Sequence, residues 1–336
     1  MLVSLCIIAK DEEKHLPNLI QSLISQTFNK SDTEIVFSIA PSKDKTMEIV
    51  TDFKNQYGNE YHSIKILNNE KVRQAPGLNL AIKNSTGDVI IRVDAHSILP
   101  TDFVNNNIKG IEDGEDIVGG VTNAVCENKS RWSNFLYQVD SSSFGGGIAA
   151  FRNQTSKKQY VKTLANGCYK KEVFEKIGYF NEELIRSEDN EFCYRARQNG
   201  YKIAMYANIY NDYYVRSTLK GLLKQKFGNG LWVLYTSKIM TPKIFSLYHF
   251  VPFLFVLAMI FTALCPLLAF AGISLFFCFI PMMAFYGAYF LFLFFNIIGE
   301  IIKTKNFLLI FSFPFYFLIH LSYGLGSIKG LFKRKR

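Results

Sequence analysis

The stretch Gly87-Asp-Val-Ile-Ile-Arg-Val-Asp-Ala-His96 reads as a buried strand that ends in a carboxylate, with an imidazole two residues further on. Upstream, residues 2–9 form an apolar run too short for a buried helix, and Asp11-Glu-Glu13 opens a segment with Leu16, Leu19, Ile20 and Leu23 at helical spacing. The same alternation continues with a strand over 35–40, a helix over 45–57, a strand over 63–67, a helix over 76–83 and the strand over 88–93. It predicts a mostly parallel, Rossmann-like α/β sheet wound by right-handed crossovers, with ligands bound beyond the carboxyl ends of the strands. Downstream, 116–125 reads as extended chain, 181–200 as a helical segment and 201–206 as a further strand.

The chain has 336 residues, 49% of them apolar and 15% aromatic, which excludes a disordered or low-complexity protein. Nineteen of its 31 Phe lie at or after Phe250, and after Tyr248 the single acidic residue is Glu300. Residues 1–235 therefore read as the α/β domain and 236–336 as a membrane-anchoring region, with spans near 250–271 and 275–298 joined by a turn at Gly272-Ile273-Ser274. A third candidate, 307–325, holds Pro314 and His320, and its crossing would export Lys333-Arg-Lys-Arg336. Two spans plus a re-entrant or interfacial segment is the reading. Of the net charge of +10, the tail after Tyr248 carries +6, so the basic excess suits anionic headgroups and no nucleic acid is expected as partner.

Met1 runs into an apolar strand with no basic region ahead of it, so a cytoplasmic α/β domain is expected. The six cysteines form no C-x-x-C pair, and neither disulfides nor a zinc site is indicated. Residues 140–151 contain Ser-Ser-Ser-Phe-Gly-Gly-Gly, which reads as a mobile loop or a plain connector.

Asp94 and His96 at the carboxyl edge of the sheet offer oxygen and nitrogen to Mn²⁺ or Mg²⁺, whose remaining positions substrate phosphate and water commonly fill. The bland alternative is a turn cap and a surface imidazole. Arg186-Ser-Glu-Asp-Asn-Glu191 poses the same choice. Ser187 or Asp189 suits a helix cap, while one of Glu188, Asp189 and Glu191 could take a proton from an attacking hydroxyl.

In this order the parts resemble glycosyltransferase family 2 with the GT-A fold, over roughly residues 1–235. Asp94-Ala-His96 matches that family's Asp-x-Asp metal motif, Glu188-Asp189 its Glu-Asp motif, and Leu164-Ala-Asn-Gly-Cys-Tyr-Lys-Lys-Glu-Val-Phe-Glu-Lys-Ile-Gly-Tyr-Phe-Asn181 its acceptor-side segment. Together with the tail and Gln225-Lys-Phe-Gly-Asn-Gly230, these look most like the membrane-anchored exopolysaccharide glucosyltransferases of the succinoglycan type.

The resemblance implies an α/β GT-A catalytic domain with a C-terminal α-helical membrane region, on the cytoplasmic face of a bacterial cell membrane. It implies an inverting hexosyltransferase for exopolysaccharide, capsule or other surface glycan, with a divalent cation, a nucleotide-sugar donor and a polyprenyl-linked saccharide acceptor. It assigns Asp189 as catalytic base, Asp94 and His96 as metal ligands, and Glu12, Asp44, Arg73, Asn79 and Asp94 to the nucleotide. The segment Ile39-Ala-Pro-Ser-Lys-Asp44 lacks the carboxylate that usually recognises uracil, so UDP is a family default. Gln225–Gly230 replaces the Gln-x-x-Arg-Trp signature of processive synthases, so one sugar per encounter is expected. Two alternatives stay open: a polyprenyl-phosphate glycosyltransferase, and a catalytically inactive scaffold of a polysaccharide assembly complex.

Overall fold

The structure, a computed structural model, describes residues 1–126, 130–146, 157–215, 218–270 and 275–334. It divides into two units, residues 1–125 with 149–214, and residues 126–148 with 215–336.

The first unit begins with β1 (Val3–Ala9), α1 (Leu16–Ile24), β2 (Thr33–Ile39), α2 (Thr46–Tyr57), β3 (Ser63–Asn68), α3 (Gln74–Lys83) and β4 (Val89–Asp94). Each element expected from the sequence over this stretch forms. The four strands are mutually parallel in the order β3-β2-β1-β4, as the crossovers require. Then follow β5 (Ser97–Ile98), α4 (Phe103–Glu112), β6 (Ile117–Cys126), and, in the second unit, α5 (Arg131–Ser141). The first unit resumes with β7 (Gln159–Tyr160), β8 (Gly167–Lys170), α6 (Lys171–Ile177), α7 (Glu188–Gln198) and β9 (Ile203–Val215). The described sheet has nine strands, and its second half is mixed: β8 is antiparallel to both β4 and β6, and β5 and β7 are antiparallel to β9.

Strand periodicity decides what each face holds. Val89, Ile91 and Val93 of β4 join Leu5, Ile7 and Phe37 in a core covered by Leu16, Leu19 and Leu23 of α1, Phe53 of α2 and Ile108 of α4. Ile90 points the other way, into a core with Leu78 of α3, Phe174 of α6 and Phe192 of α7. Arg92 and Asp94 share the parity of Ile90, so both belong to the face that α7 covers.

At the amino end of the sheet, Glu34 is fully buried on β2. Its carboxylate accepts from Ser4 Oγ at 2.5 Å and Thr86 N at 2.7 Å, and pairs with Lys65 Nζ at 2.6 Å. Burial pushes this acid up, but the Lys65, Ser4 and Thr86 contacts outweigh it and hold it at about 2.

The second unit holds α8 (Leu219–Ile239), α9 (Val251–Phe270), α10 (Leu275–Thr304) and α11 (Phe313–Phe332) beside α5. The helix carrying Gln225–Gly230, read with the first domain from sequence, thus lies in the second unit. Three stretches, Leu247–Leu267, Phe279–Thr304 and Phe307–Phe332, are long and apolar enough to cross a membrane. By that measure the third segment, read from sequence as re-entrant or interfacial, is as capable as the other two. The expected turn at 272–274 lies outside the described residues. Of the segment 140–151, the part up to Gly146 is anchored, which departs from the mobile-loop reading: Tyr316 OH donates to Ser142 Oγ, His320 Nε2 lies 2.9 Å from the Phe144 carbonyl oxygen, and Lys226 Nζ donates to that of Gly145. Residues 147–151 lie outside the described residues.

Glu34 generates a pH signature. Because its folded value is depressed, its contribution is complete above about 4.5 and lost as pH falls towards about 2. Amide hydrogen exchange of β1, β2 and β4 peptides in the detergent-solubilised chain, corrected for intrinsic rates, should show roughly 2 kcal/mol of protection disappearing across that window. In Glu34→Gln the protection should be lower at pH 7 and flat below pH 5.

Candidate functional site

Beyond the carboxyl ends of β1, β2 and β4 lies a cleft of about 210 Å³, lined among others by Glu12, Ala40, Asn69, Arg73, Asp94 and His96. Its position is where a parallel sheet leaves room for ligand. Four of the residues singled out from sequence meet here: Glu12, Arg73, Asp94 and His96. Nδ1 of His96 lies 3.4 Å from Glu12 Oε1, and Asp94 and His96 both keep solvent access. Arg73 Nη1 donates to the Glu182 carbonyl oxygen at 3.0 Å, which steadies the guanidinium at the rim.

Asp44 and Asn79 do not line the cleft; they build its walls. Asp44 Oδ1 accepts from the Thr46 amide at 3.0 Å and the Thr46 hydroxyl at 2.6 Å, while Oδ2 accepts from the Glu13 amide at 3.0 Å. Those bonds outweigh the effect of burial and hold the Asp44 carboxyl below its ordinary value. They tie the loop after β1 to the start of α2. Asn79 is buried on α3, donating to Phe180 O at 2.8 Å and Glu182 Oε1 at 3.1 Å and accepting from Phe180 N at 3.0 Å. It fastens the 180–182 segment.

Sequence reasoning gave no role to Arg92, although a charged residue inside an apolar strand is itself a signal. Arg92 is buried, with Nη2 3.4 Å from Asp94 Oδ1 and 3.6 Å from Glu188 Oε1. One guanidinium therefore joins the carboxylate at the tip of β4 to the acids that open α7. Its Nε and Nη1 are buried without a hydrogen-bond partner among the described residues, a costly state that native proteins keep mostly at functional sites.

The three acids of α7 have separate fates. Glu191 is held by Arg195, at 2.8 Å from Nε and 3.0 Å from Nη2. Glu188 is buried against Arg92, and burial together with the neighbouring Asp189 charge raises its carboxyl to about 7 despite the guanidinium. Asp189 is half-buried, its Oδ1 accepting from the Asn190 amide at 2.8 Å. Burial raises it above the ordinary carboxylate value, with Arg92 opposing. Helix α7 starts at Glu188, later than the segment read from sequence, and Ser187 makes no side-chain capping bond; its φ is +69°. Asp11 and Val72 also have positive φ, both +53°. Val72 lines the cleft, and a β-branched residue there is strained.

For a divalent ion, no group of three or more His, Cys, Asp and Glu among the described residues is arranged to enclose one. Asp94 and His96 fit as a two-donor set to be completed by phosphate and water, and Glu12 beside Nδ1 suits the carboxylate that orients a ligating imidazole.

The sequence model of glycosyl transferase family 2 matches residues 4–178. A dolichyl N-acetyl-α-D-glucosaminyl phosphate 3-β-D-2,3-diacetamido-2,3-dideoxy-β-D-glucuronosyltransferase of Methanococcus voltae is 27% identical over 98% of this chain and 97% of its own. The succinoglycan biosynthesis protein ExoA of Rhizobium meliloti is 26% identical over 66% of this chain and 65% of its own. A mannosyltransferase from Pyrobaculum calidifontis, solved with GDP-Man and Mn²⁺, superposes with a TM-score of 0.62 over 98% of this chain and 87% of its own, at 15% identity, and shares the fold.

Asn79 offers a check on the division between wall and lining. Asn79→Ala strands the buried Phe180 amide, at a cost of about 2 kcal/mol, so hydrogen exchange over 179–184 should quicken by roughly 30-fold. Unchanged exchange there would return Asn79 to the ligand.

Proposed function

The chain belongs to glycosyl transferase family 2, and from that premise we propose that it moves one sugar from a nucleotide-sugar to a hydroxyl of a lipid-linked saccharide, inverting the anomeric centre. The observation that carries this reading is Arg92, which brings Asp94 at the donor cleft and Glu188-Asp189 at the start of α7 into one charge network.

In this reading the nucleotide lies in the cleft, with Arg73 beside its phosphates or base. Asp94 and His96 would hold a Mn²⁺ or Mg²⁺ ion, oriented through Glu12. A divalent ion bound there neutralises the charge that builds on the leaving diphosphate. Asp189 accepts the proton of the acceptor hydroxyl as its oxygen bonds to the anomeric carbon and the bond to the diphosphate breaks on the opposite face. A carboxylate raised towards neutrality, as burial raises Asp189, is a better-matched general base than an ordinary surface aspartate. Arg92 stays behind the reacting groups and limits how far both acids rise.

Ala40 stands in the cleft wall and Asn69 and Gln74 supply polar lining, so the base contacts fall to groups other than a carboxylate after β2. UDP remains the family-level donor. The name of the Methanococcus relative, with its dolichyl-linked acceptor, supports a polyprenyl-linked saccharide here and a role in exopolysaccharide, capsule or other surface glycan assembly. The apolar helices and basic tail suit action at the cytoplasmic face of a cell membrane.

Asp189→Asn keeps the shape of the site and removes the base. Nucleotide release with membrane lipid extract as acceptor should fall by at least about 100-fold, while calorimetric binding of UDP with Mn²⁺ stays within about twofold. Loss of binding together with turnover would contradict the assigned role. Retained turnover would favour an acceptor that is already ionised, such as a lipid phosphate.

A further inference from the structure

Helices α8 and α11 run side by side in a constant register. Ser322 Oγ donates to the Leu223 carbonyl oxygen at 2.8 Å, and a Cβ at Gly326 or Gly330 would collide with the carbonyl oxygens of Phe227 and Leu231. In each pair (322 with 223, 326 with 227, 330 with 231) the partner lies 99 positions earlier, so the two helices are parallel. Small residues every fourth position let the backbones approach this closely.

That register fixes depth. A Cβ at Gly230 would in turn collide with the Tyr323 carbonyl oxygen, 93 positions on, so the helices are level at the mean offset of 96: Lys220 and Lys224, both exposed on α8, lie level with Tyr316 and His320 of α11, and the Lys226–Asp140 pair lies level with Ser322. Helix α11 has 20 residues, so it is about 30 Å long, just the thickness of a hydrocarbon core. A crossing α11 would have its midpoint, next to Tyr323, at the bilayer centre. Lys224 would then sit roughly 10 Å, and the Lys226–Asp140 pair roughly 14 Å, from the nearer interface, further than a lysine stem can carry its ammonium. No such conflict touches α9 or α10, whose windows Leu247–Leu267 and Phe279–Thr304 hold charges only near the end of α10 and expose most of their apolar side chains.

We infer that α9 and α10 alone cross the bilayer, and that α8 and α11 lie together in one membrane interface against an anionic leaflet. Leu325, Leu331 and Phe332 are exposed apolar side chains of α11, suited to the acyl boundary. Lys329 stands 5.7 Å over the Phe227 ring, and Lys333 5.5 Å over Trp232 and 5.4 Å over Tyr235. Lys238 Nζ donates to the Leu331 carbonyl oxygen at 2.9 Å. None of these three lysines pairs with a carboxylate among the described residues, which leaves lipid phosphate as the complementary charge. Two crossings also return Lys303, at the end of α10, to the side that holds Lys329, Lys333 and Arg334, as the bias of basic residues to one side prefers.

The test is carried out on the full chain in sealed, inside-out membrane vesicles, with Lys303→Cys and Arg334→Cys placed at exposed positions and the parent chain as blank. A membrane-impermeant maleimide should shift both variants from the same side; labelling of one without the other overturns the two-span arrangement. A spin label at Leu325→Cys adds a reading independent of sidedness: a depth within a few ångströms of the phosphates is expected, and a depth at the bilayer centre contradicts it. In nanodiscs, replacing one third of the phosphatidylcholine by phosphatidylglycerol should slow amide exchange over 326–334 at least threefold, and Lys329→Gln with Lys333→Gln should remove the gain. Equal exchange in both discs would remove the anionic-leaflet assignment.

Discussion

Arg92 is a full charge inside a β-sheet, and much of the site follows from how that charge is met. Its strand is flanked on both sides by others, so the guanidinium cannot reach water, and a buried cation is tolerable only with carboxylates close by. Alternation along β4 puts Asp94 on the same face, and the packing of α7 over that face supplies Glu188. The mutual attraction of these groups positions the opening of α7 relative to the tip of β4. Asp189 follows one residue beyond the acid that Arg92 holds, close enough to Arg92 and Asp94 for both charges to act on its carboxyl.

The two ends of the same sheet show opposite electrostatics for buried acids. Glu34 is surrounded by donors and an ammonium, and its carboxyl drops to about 2. Glu188 and Asp189 share one guanidinium with Asp94, and burial raises both. The first arrangement stabilises the fold at neutral pH; the second costs stability there and leaves Glu188, raised to about 7, able to change protonation near neutral pH. Positive φ at Asp11, Val72 and Ser187 adds local strain around the carboxyl edge.

Much of this architecture was legible in the chain. The alternating strands and helices up to Asp94, the acid-imidazole pair at a strand tip and the apolar tail are all carried by local pattern. The antiparallel β8 was not, because Gly167–Lys170 is four residues long and pairs with β4 across about 80 residues of sequence. Asp44 and Asn79 matched family positions, yet whether a polar side chain lines a cleft or ties its wall depends on partners such as Thr46 and Phe180 that the motif does not contain. Arg92 was in plain view within the decisive stretch, and its meaning required Glu188, 96 positions later. For the third hydrophobic segment, composition alone could not weigh the lysines of α8, since only the register between α8 and α11 brings them to the same depth.

The most direct test of this account is the pH dependence of kcat/KM in the parent chain and in Arg92→Met. Burial raises the Glu188-Asp189 pair, so the acid limb of the parent should lie above the ordinary carboxylate range. Arg92 lowers both acids, so its removal should move that limb to higher pH, with Arg92→Lys in between. An acid limb that stays in place, or moves to lower pH, would contradict the central role given to this guanidinium.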